Sequence, residues 1–161
     1  MNVFVLYDSQ YGNTKKIAEA IAAAFSKPHS VKIFPVEEVD HSDCCKTIDL
    51  LFVGSPTQGG RPTNGLSEFL NDIPPEELKG LKFAAFDTRM AIQDVNWFLR
   101  FVMGRVGFAA PKIAKILVAK GSKLAAQPEG FIVDGKEGPL KENELSRATA
   151  WAAKVSKDSE G

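Results

Sequence analysis

"VFVLYDSQYGNTKKIAEAIAAAF", residues 3–25, joins two periodicities across one short polar turn. Val3 to Tyr7 is a continuous apolar run, the pattern of a strand covered on both faces. Beyond the turn, Ile17, Ile21, Ala24 and Phe25 recur at helical spacing and mark one apolar stripe. The turn itself, "SQYGNT", Ser9 to Thr14, places two hydroxyls, a glycine and an asparagine where a helix must begin. A helix start leaves N–H groups unpaired and carries partial positive charge, so it attracts an anion such as a phosphate. Ser9, Asn13 and Thr14 add side-chain donors, and Gly12 lets the backbone come close or adopt positive φ. Simple capping of the helix by Asn13 or Thr14 accounts for the same residues without a ligand.

Outward from this unit the alternation continues. Short apolar runs at residues 30–36, 48–54, 81–87 and 123–133 predict four more strands. Leu66, Phe69, Leu70 and Ile73 form a second helical stripe, Ile113, Ile116 and Leu117 a third, and Leu145, Ala148, Trp151, Ala152 and Val155 a last one. "EEVDHSDCCKT", between the second and third runs, is short and polar, with room for one or two turns. Apolar strands alternating with amphipathic helices predict an α/β fold whose parallel sheet is covered on both faces. A chain of 161 residues, 44% hydrophobic and 25% charged, suits a single domain over residues 1–161.

Twenty basic residues balance twenty acidic ones, so no overall field recommends nucleic acid or a membrane. The halves differ: residues 1–80 hold 7 Lys and Arg against 11 Asp and Glu, residues 81–161 hold 13 against 9. Cys44 and Cys45 are adjacent, poorly placed for an unstrained disulfide, and lack the spacing of redox or zinc motifs. The N-terminus has no basic region before its brief apolar run, and no run approaches a membrane span. These features predict a cytoplasmic protein. His29 and His41 read as solvated loop residues, and no Ser-His-Asp arrangement is supported.

In a doubly wound sheet ligands bind outside the carboxyl ends of the strands. Three loops leave such ends: "DSQYGNT", "GSPTQGGRPT" and "DTRMAIQD". Neither G-x-x-x-x-G-K-[ST] nor G-x-G-x-x-G occurs, so the cradle suits a mononucleotide better than a triphosphate or dinucleotide.

These three loops, in this order, resemble those of the flavodoxin family. "SQYGNT" is similar to its flavin mononucleotide (FMN) phosphate loop, "GSPTQGGRPT" to its second flavin loop, and "FDTRM" to the third loop of a flavodoxin-like group. The C-terminal "PEGFIVDGKEGPLKENELSRATAWA" is similar to that group as well. The resemblance implies a flavodoxin-like three-layer fold, a five-stranded parallel sheet in the order 2-1-3-4-5, and FMN bound without a covalent link. It places Ser9, Gln10, Tyr11, Gly12, Asn13 and Thr14 at the phosphate, and Ser55, Pro56 and Thr57 near the ribityl chain. Gln58, Gly59 and Gly60 would run beside the isoalloxazine ring, with Asp87, Thr88, Arg89 and Met90 bordering its other side. Gly59 and Gly60 either let a peptide turn toward a flavin nitrogen or make a tight turn needing positive φ.

Two departures from the family pattern stand out. Aromatic rings usual in the second and third loops are replaced by Gln58 and the "TRM" segment, and the chain is balanced in charge where carrier flavodoxins are acidic. Arg61 and Arg89 in the flavin loops would favour an anionic reduced flavin and a less negative potential for the second electron.

The segment "AIQDVNWFLRFVMGRVGFAAP" carries a stripe of Ile92, Val95, Leu99, Val102 and Met103, broadened by Trp97, Phe98 and Phe101, with Gly104 as its stop. It reads as an extra helix on the core, or as one whose aromatics supply the missing flavin wall or a docking patch made basic by Arg100 and Arg105. The function expected is an FMN-binding carrier passing electrons between redox partner proteins, with neither nucleic acid nor membrane as partner. The alternative is an NAD(P)H-dependent quinone or flavin reductase of the same fold; a fold relative without flavin is a third.

Overall fold

A computed structural model describes residues 1–40, 42 and 47–161. His41, Cys44, Cys45 and most of the turns expected before the third strand lie outside the described residues. The strands are β1 (Asn2–Tyr7), β2 (Ser30–Pro35), β3 (Leu50–Pro56), β4 (Lys82–Met90), β5 (Lys123–Leu124) and β6 (Glu129–Val133). The helices, numbered among the described residues, are α1 (Asn13–Ala23), α2 (Asn64–Asp72), α3 (Pro75–Leu78), α4 (Trp97–Val106), α5 (Ala109–Ala119) and α6 (Glu144–Glu160). None of them is long and apolar enough to cross a membrane.

The fold is the α/β flavodoxin type, with parallel strands in the order β2-β1-β3-β4-β5 and β6 also bonded to β4. From β1 the chain crosses through α1 to β2 on one side; from β3 it crosses through α2 and α3 to β4 on the other. The order therefore reverses between β1 and β3, which opens a crevice at their carboxyl ends.

Each face of the sheet has its own core. Val3, Val5, Phe52 and Phe86 pack under α1 and α6 with Ile17, Ile21, Ala148 and Val155. Phe4, Leu6, Val53 and Phe83 pack under α2, α3 and α5 with Leu66, Leu70, Leu78, Ile113 and Leu117. Full burial of each large side chain contributes about 1.5–3 kcal/mol, so the β3 and β4 aromatics anchor both layers. At Gly54 a Cβ would overlap the Phe86 ring, so β3 needs glycine there to let that ring lie across it.

Two strands depart from expectation. The predicted run 123–133 is split: Lys82 faces Lys123, but Phe86 faces Glu129, so two extra residues bulge out between β5 and β6. Pro128, which has no N–H for the ladder, sits at that break. β4 in turn runs past Asp87 to Met90, because β6 pairs with it there while β3 pairs as far as Pro56 and Thr88. Asp87, Thr88, Arg89 and Met90 are thus strand residues rather than a loop. His29, expected in solvent, sits against the Phe25 ring, with Met1 and Glu160 at its two nitrogens.

Candidate ligand-binding site

The first turn is built without a side-chain cap from its helix. Gly12 precedes α1 in the left-handed region, φ 87°, and Ser9 Oγ accepts from the N–H of Gly12 at 3.1 Å and of Lys15 at 3.3 Å. Asn13 and Thr14 do not cap the helix. Asn13 Nδ2 donates to the Glu137 carbonyl at 3.0 Å, and the Thr14 hydroxyl meets that of Thr88 at 2.8 Å. The backbone N–H groups of Asn13 and Thr14 find no acceptor among the described residues. Simple capping by Asn13 or Thr14 is overturned, and unpaired donors remain at a helix start.

The second loop is a two-residue hairpin. Gln58 and Arg61 exchange backbone hydrogen bonds of 2.8 and 3.0 Å, and Gly59 and Gly60 both have positive φ, 55° and 76°, as a primed turn requires. A Cβ on Gly60 would overlap Val106, whereas Gly59 faces open space. Ser55 braces this loop from below: its hydroxyl donates to the Pro56 carbonyl and accepts from the Thr63 N–H, so it is not among the cavity-lining residues. The Gln58 side chain bonds to Gln10, tying the second loop to the first.

The end of β4 separates its side chains by parity. Thr88 faces α1, while Asp87 and Arg89 face α5. Asp87 is fully buried; it accepts from Arg89 Nε at 2.6 Å and Nη2 at 2.7 Å, and from the Ala110 N–H of α5 at 2.8 Å. Burial pushes its carboxyl up, against the opposing pull of Arg89, the Ala110 N–H and the Thr57 hydroxyl. Thr57 Oγ1 also accepts from the Ala109 N–H at 3.0 Å, so Asp87 of β4 and Thr57 just beyond β3 cap α5. Arg89 stacks on Phe108 at 3.7 Å and spends its charge on Asp87. It is therefore not the free cation that the expectation about potential assumed.

These parts enclose one cavity of about 610 Å³. Its lining includes Ser9, Gln10, Tyr11, Asn13 and Thr14 from the first turn, and Pro56, Thr57, Gln58, Gly59 and Gly60 from the second. Thr88, Arg89 and Met90 line it from β4; Ser55 and Asp87 are buried behind that lining, and Gly12 sets the backbone of the first turn. Sequence reasoning expected the wrong side chains from one contributor, the aromatics of α4, and missed a second. α4 supplies an aliphatic wall of Leu99, Val102, Met103 and Val106, and the turn after β6 supplies Val133, Gly135 and Lys136. That turn is pressed against the first, since a Cβ on Gly138 would run into the Asn13 amide. The signal was present: "FIVDGKEGP" is a fourth strand end followed by turn residues.

α4 differs from what its sequence suggests. Ile92–Asp94 is a 3-10 turn, the helix begins at Trp97 under an Asn96 cap, and it passes through Gly104 to end at Gly107, φ 82°. None of its residues is buried, so it is no core helix, and Trp97, Phe98 and Phe101 point away from the cavity. Among the described residues Tyr11 is the one aromatic lining it.

The flavodoxin family model matches residues 5–88. A coenzyme F420H2 oxidase of Methanothermobacter marburgensis is 30% identical over 135 residues, 81% of this chain and 31% of that protein. A flavodoxin of Picosynechococcus is 31% identical over 83 residues, 51% of this chain and 48% of that one. The chain thus spans less than half the length of either relative. Among solved structures, a flavodoxin from the domain Archaea superposes over all of both chains with a TM-score of 0.77 at 22% identity, a likeness of fold.

Proposed function

The chain belongs to the flavodoxin family, and we propose that it binds FMN in this cavity and carries electrons between redox partner proteins. One observation carries the reading: unpaired N–H groups at the start of α1 and an aliphatic wall from α4 share a single cavity of a size usual for cofactors. A phosphorylated, flat, largely apolar ligand needs that combination. The first turn would hold the phosphate through the Asn13 and Thr14 N–H groups and the Ser9, Gln10 and Tyr11 segment, with Lys136 adding charge from the turn after β6. Pro56 and Thr57 would flank the ribityl chain. Gln58, Gly59 and Gly60 would run beside the ring, and Thr88, Arg89 and Met90 would border it opposite α4. Gly12, Ser55 and Asp87 would act by shaping the backbone around them.

The flavin supplies the redox chemistry when bound, and the protein sets its orientation and access. The aliphatic side chains of α4 would keep water from the bound group. The primed turn at Gly59 and Gly60 leaves Gly59 open to present its peptide to the ligand.

The test is the visible spectrum of the purified protein, identification of whatever ligand heat releases, and titration of the stripped protein with FMN. A yellow protein yielding FMN is expected; a colourless one that ignores added FMN defeats the reading. Similarity to an F420H2 oxidase supports a second reading, in which the chain is the flavin-bearing part of an oxidoreductase. Anaerobic mixing of the loaded protein with NADPH or reduced F420 separates the two. Rapid bleaching by either alone supports an enzyme; reduction only through a partner reductase supports a carrier.

A further inference from the structure

α4 has two faces, and the cavity uses one. Leu99, Val102, Met103 and Val106 line the cavity, whereas Trp97, Phe98 and Phe101 are 79%, 61% and 58% exposed on the other side. The Trp97 and Phe98 rings meet edge to face at 6.0 Å, and the Arg105 guanidinium lies 5.0 Å from the Phe101 centroid. The aromatics are held by one another and by a cation, with no core beneath them. A contiguous apolar patch of this kind marks an interaction site.

The charged residues of α4 itself, Arg100 and Arg105, are both basic. From Thr88 to Pro128 the sequence holds seven Lys and Arg and one acid, Asp94, which is paired to Lys141 at 2.6 Å. Arg89 is matched by Asp87, and Lys112 and Lys120 turn their ammonium groups onto the carbonyls of Val106 and Ile73. Arg100 and Arg105 stand exposed among the aromatics.

We propose that this face docks an acidic redox protein, one presenting an apolar centre rimmed by Asp and Glu, on the outside of the helix that walls the cavity. The proposal rests on the FMN reading, since it names the partner of that site. Interleaved Trp, Phe and Arg is the composition of an interface centre, and opposite charge steers encounter. A second copy of this chain fits worse. An isologous contact would set Arg100 and Arg105 against their own copies, with Asp94 already engaged. A lipid surface fits worse too, because a helix lying on a membrane turns a polar face away from it. In α4 the opposite face is the aliphatic cavity wall, and the arginines share the aromatic side.

Trp97 is the reporter, because Trp151 is packed among Phe52, Phe86 and Phe131. An acidic ferredoxin is titrated into the stripped and the FMN-loaded chain at low ionic strength, with basic cytochrome c as the control of opposite charge. Saturable change in Trp97 emission with ferredoxin, weakening as salt is added and at least about tenfold weaker in the R100E/R105E double variant, is expected. Equal affinity of that variant, or tighter binding of cytochrome c, overturns the proposal. So does a Trp97 shift produced by phosphatidylglycerol vesicles and not by ferredoxin, or a dimer in sedimentation equilibrium that Phe101→Ser dissolves. Ferredoxin docking without FMN binding would defeat only the flavin reading. FMN binding with Trp97 indifferent to ferredoxin would defeat only this one.

Discussion

The two walls of the cavity are built on opposite principles. On the sheet side, two polar clusters lie on opposite faces of β4: Thr14 with Thr88 toward α1, and Asp87 with Arg89 and Thr57 at the start of α5. On the α4 side, four aliphatic residues line the same space from a helix that buries none of its residues. The first wall belongs to the stability of the fold; the second is attached to it. The sheet wall is part of the framework, whereas the α4 wall can be altered at little cost to folding.

That contrast can be broken most directly at Asp87. Asp87→Ala leaves Arg89 without its buried partner and is expected to destabilise the fold by about 3–5 kcal/mol in urea unfolding. A loss as small as that of a surface change would mean the sheet wall is no framework. Gly12→Val comes next. With open space around it but φ at 87°, the strain of a left-handed β-branched residue is about 1–2 kcal/mol, on the order of tenfold in FMN affinity. Riboflavin, lacking the phosphate, should bind the variant and the parent alike, and an equal loss for both ligands would remove the phosphate from this turn.

Glu144 sharpens the comparison at the base of the fourth turn. Its carboxylate accepts from the Ile132 N–H at 2.6 Å and from Arg147. Burial alone would raise its pKa, but Arg147 and that N–H hold it below the ordinary 4.5. The stability it adds is thus present above about pH 4.5 and is lost as pH falls through the lowered value. Glu144→Gln should cost about 1–2 kcal/mol at neutral pH, and thermal melts of parent and variant should converge in acid. A gap that persists in acid would assign the effect to packing.

Smaller effects are expected at the cavity rim. Lys136→Ala should weaken FMN about two- to fivefold, more at low salt, while leaving riboflavin unchanged. Leu99→Ala should do the reverse, weakening both ligands alike while changing unfolding stability by less than about 0.5 kcal/mol. A large loss of stability there would place α4 in the framework after all.

The turn before α1 was legible because its signals are local: a glycine able to take positive φ, small polar residues, and an apolar run on each side of Ser9–Thr14. The glycine pair at 59 and 60 was legible for the same reason, and the Gln58–Arg61 bridge shows the tight turn expected of it. Less legible was the end of β4. "DTRM" reads as a polar loop because three of its four residues are hydrophilic, yet the strand continues there since β6 offers a ladder and α5 offers an N-terminus to Asp87.

Strand and helix periods, the parallel sheet and the place of the glycine turn before α1 were determined by the sequence alone, since each depends on spacing between near neighbours. Only the tertiary structure decided that Arg89 is neutralised by Asp87, that Lys136 reaches the cavity, and that α4 turns aliphatic residues inward and aromatic ones outward. Those outcomes depend on which distant segments meet across the sheet. An amphipathic pattern says that a helix has two faces, but the neighbour it packs against chooses which one is inside.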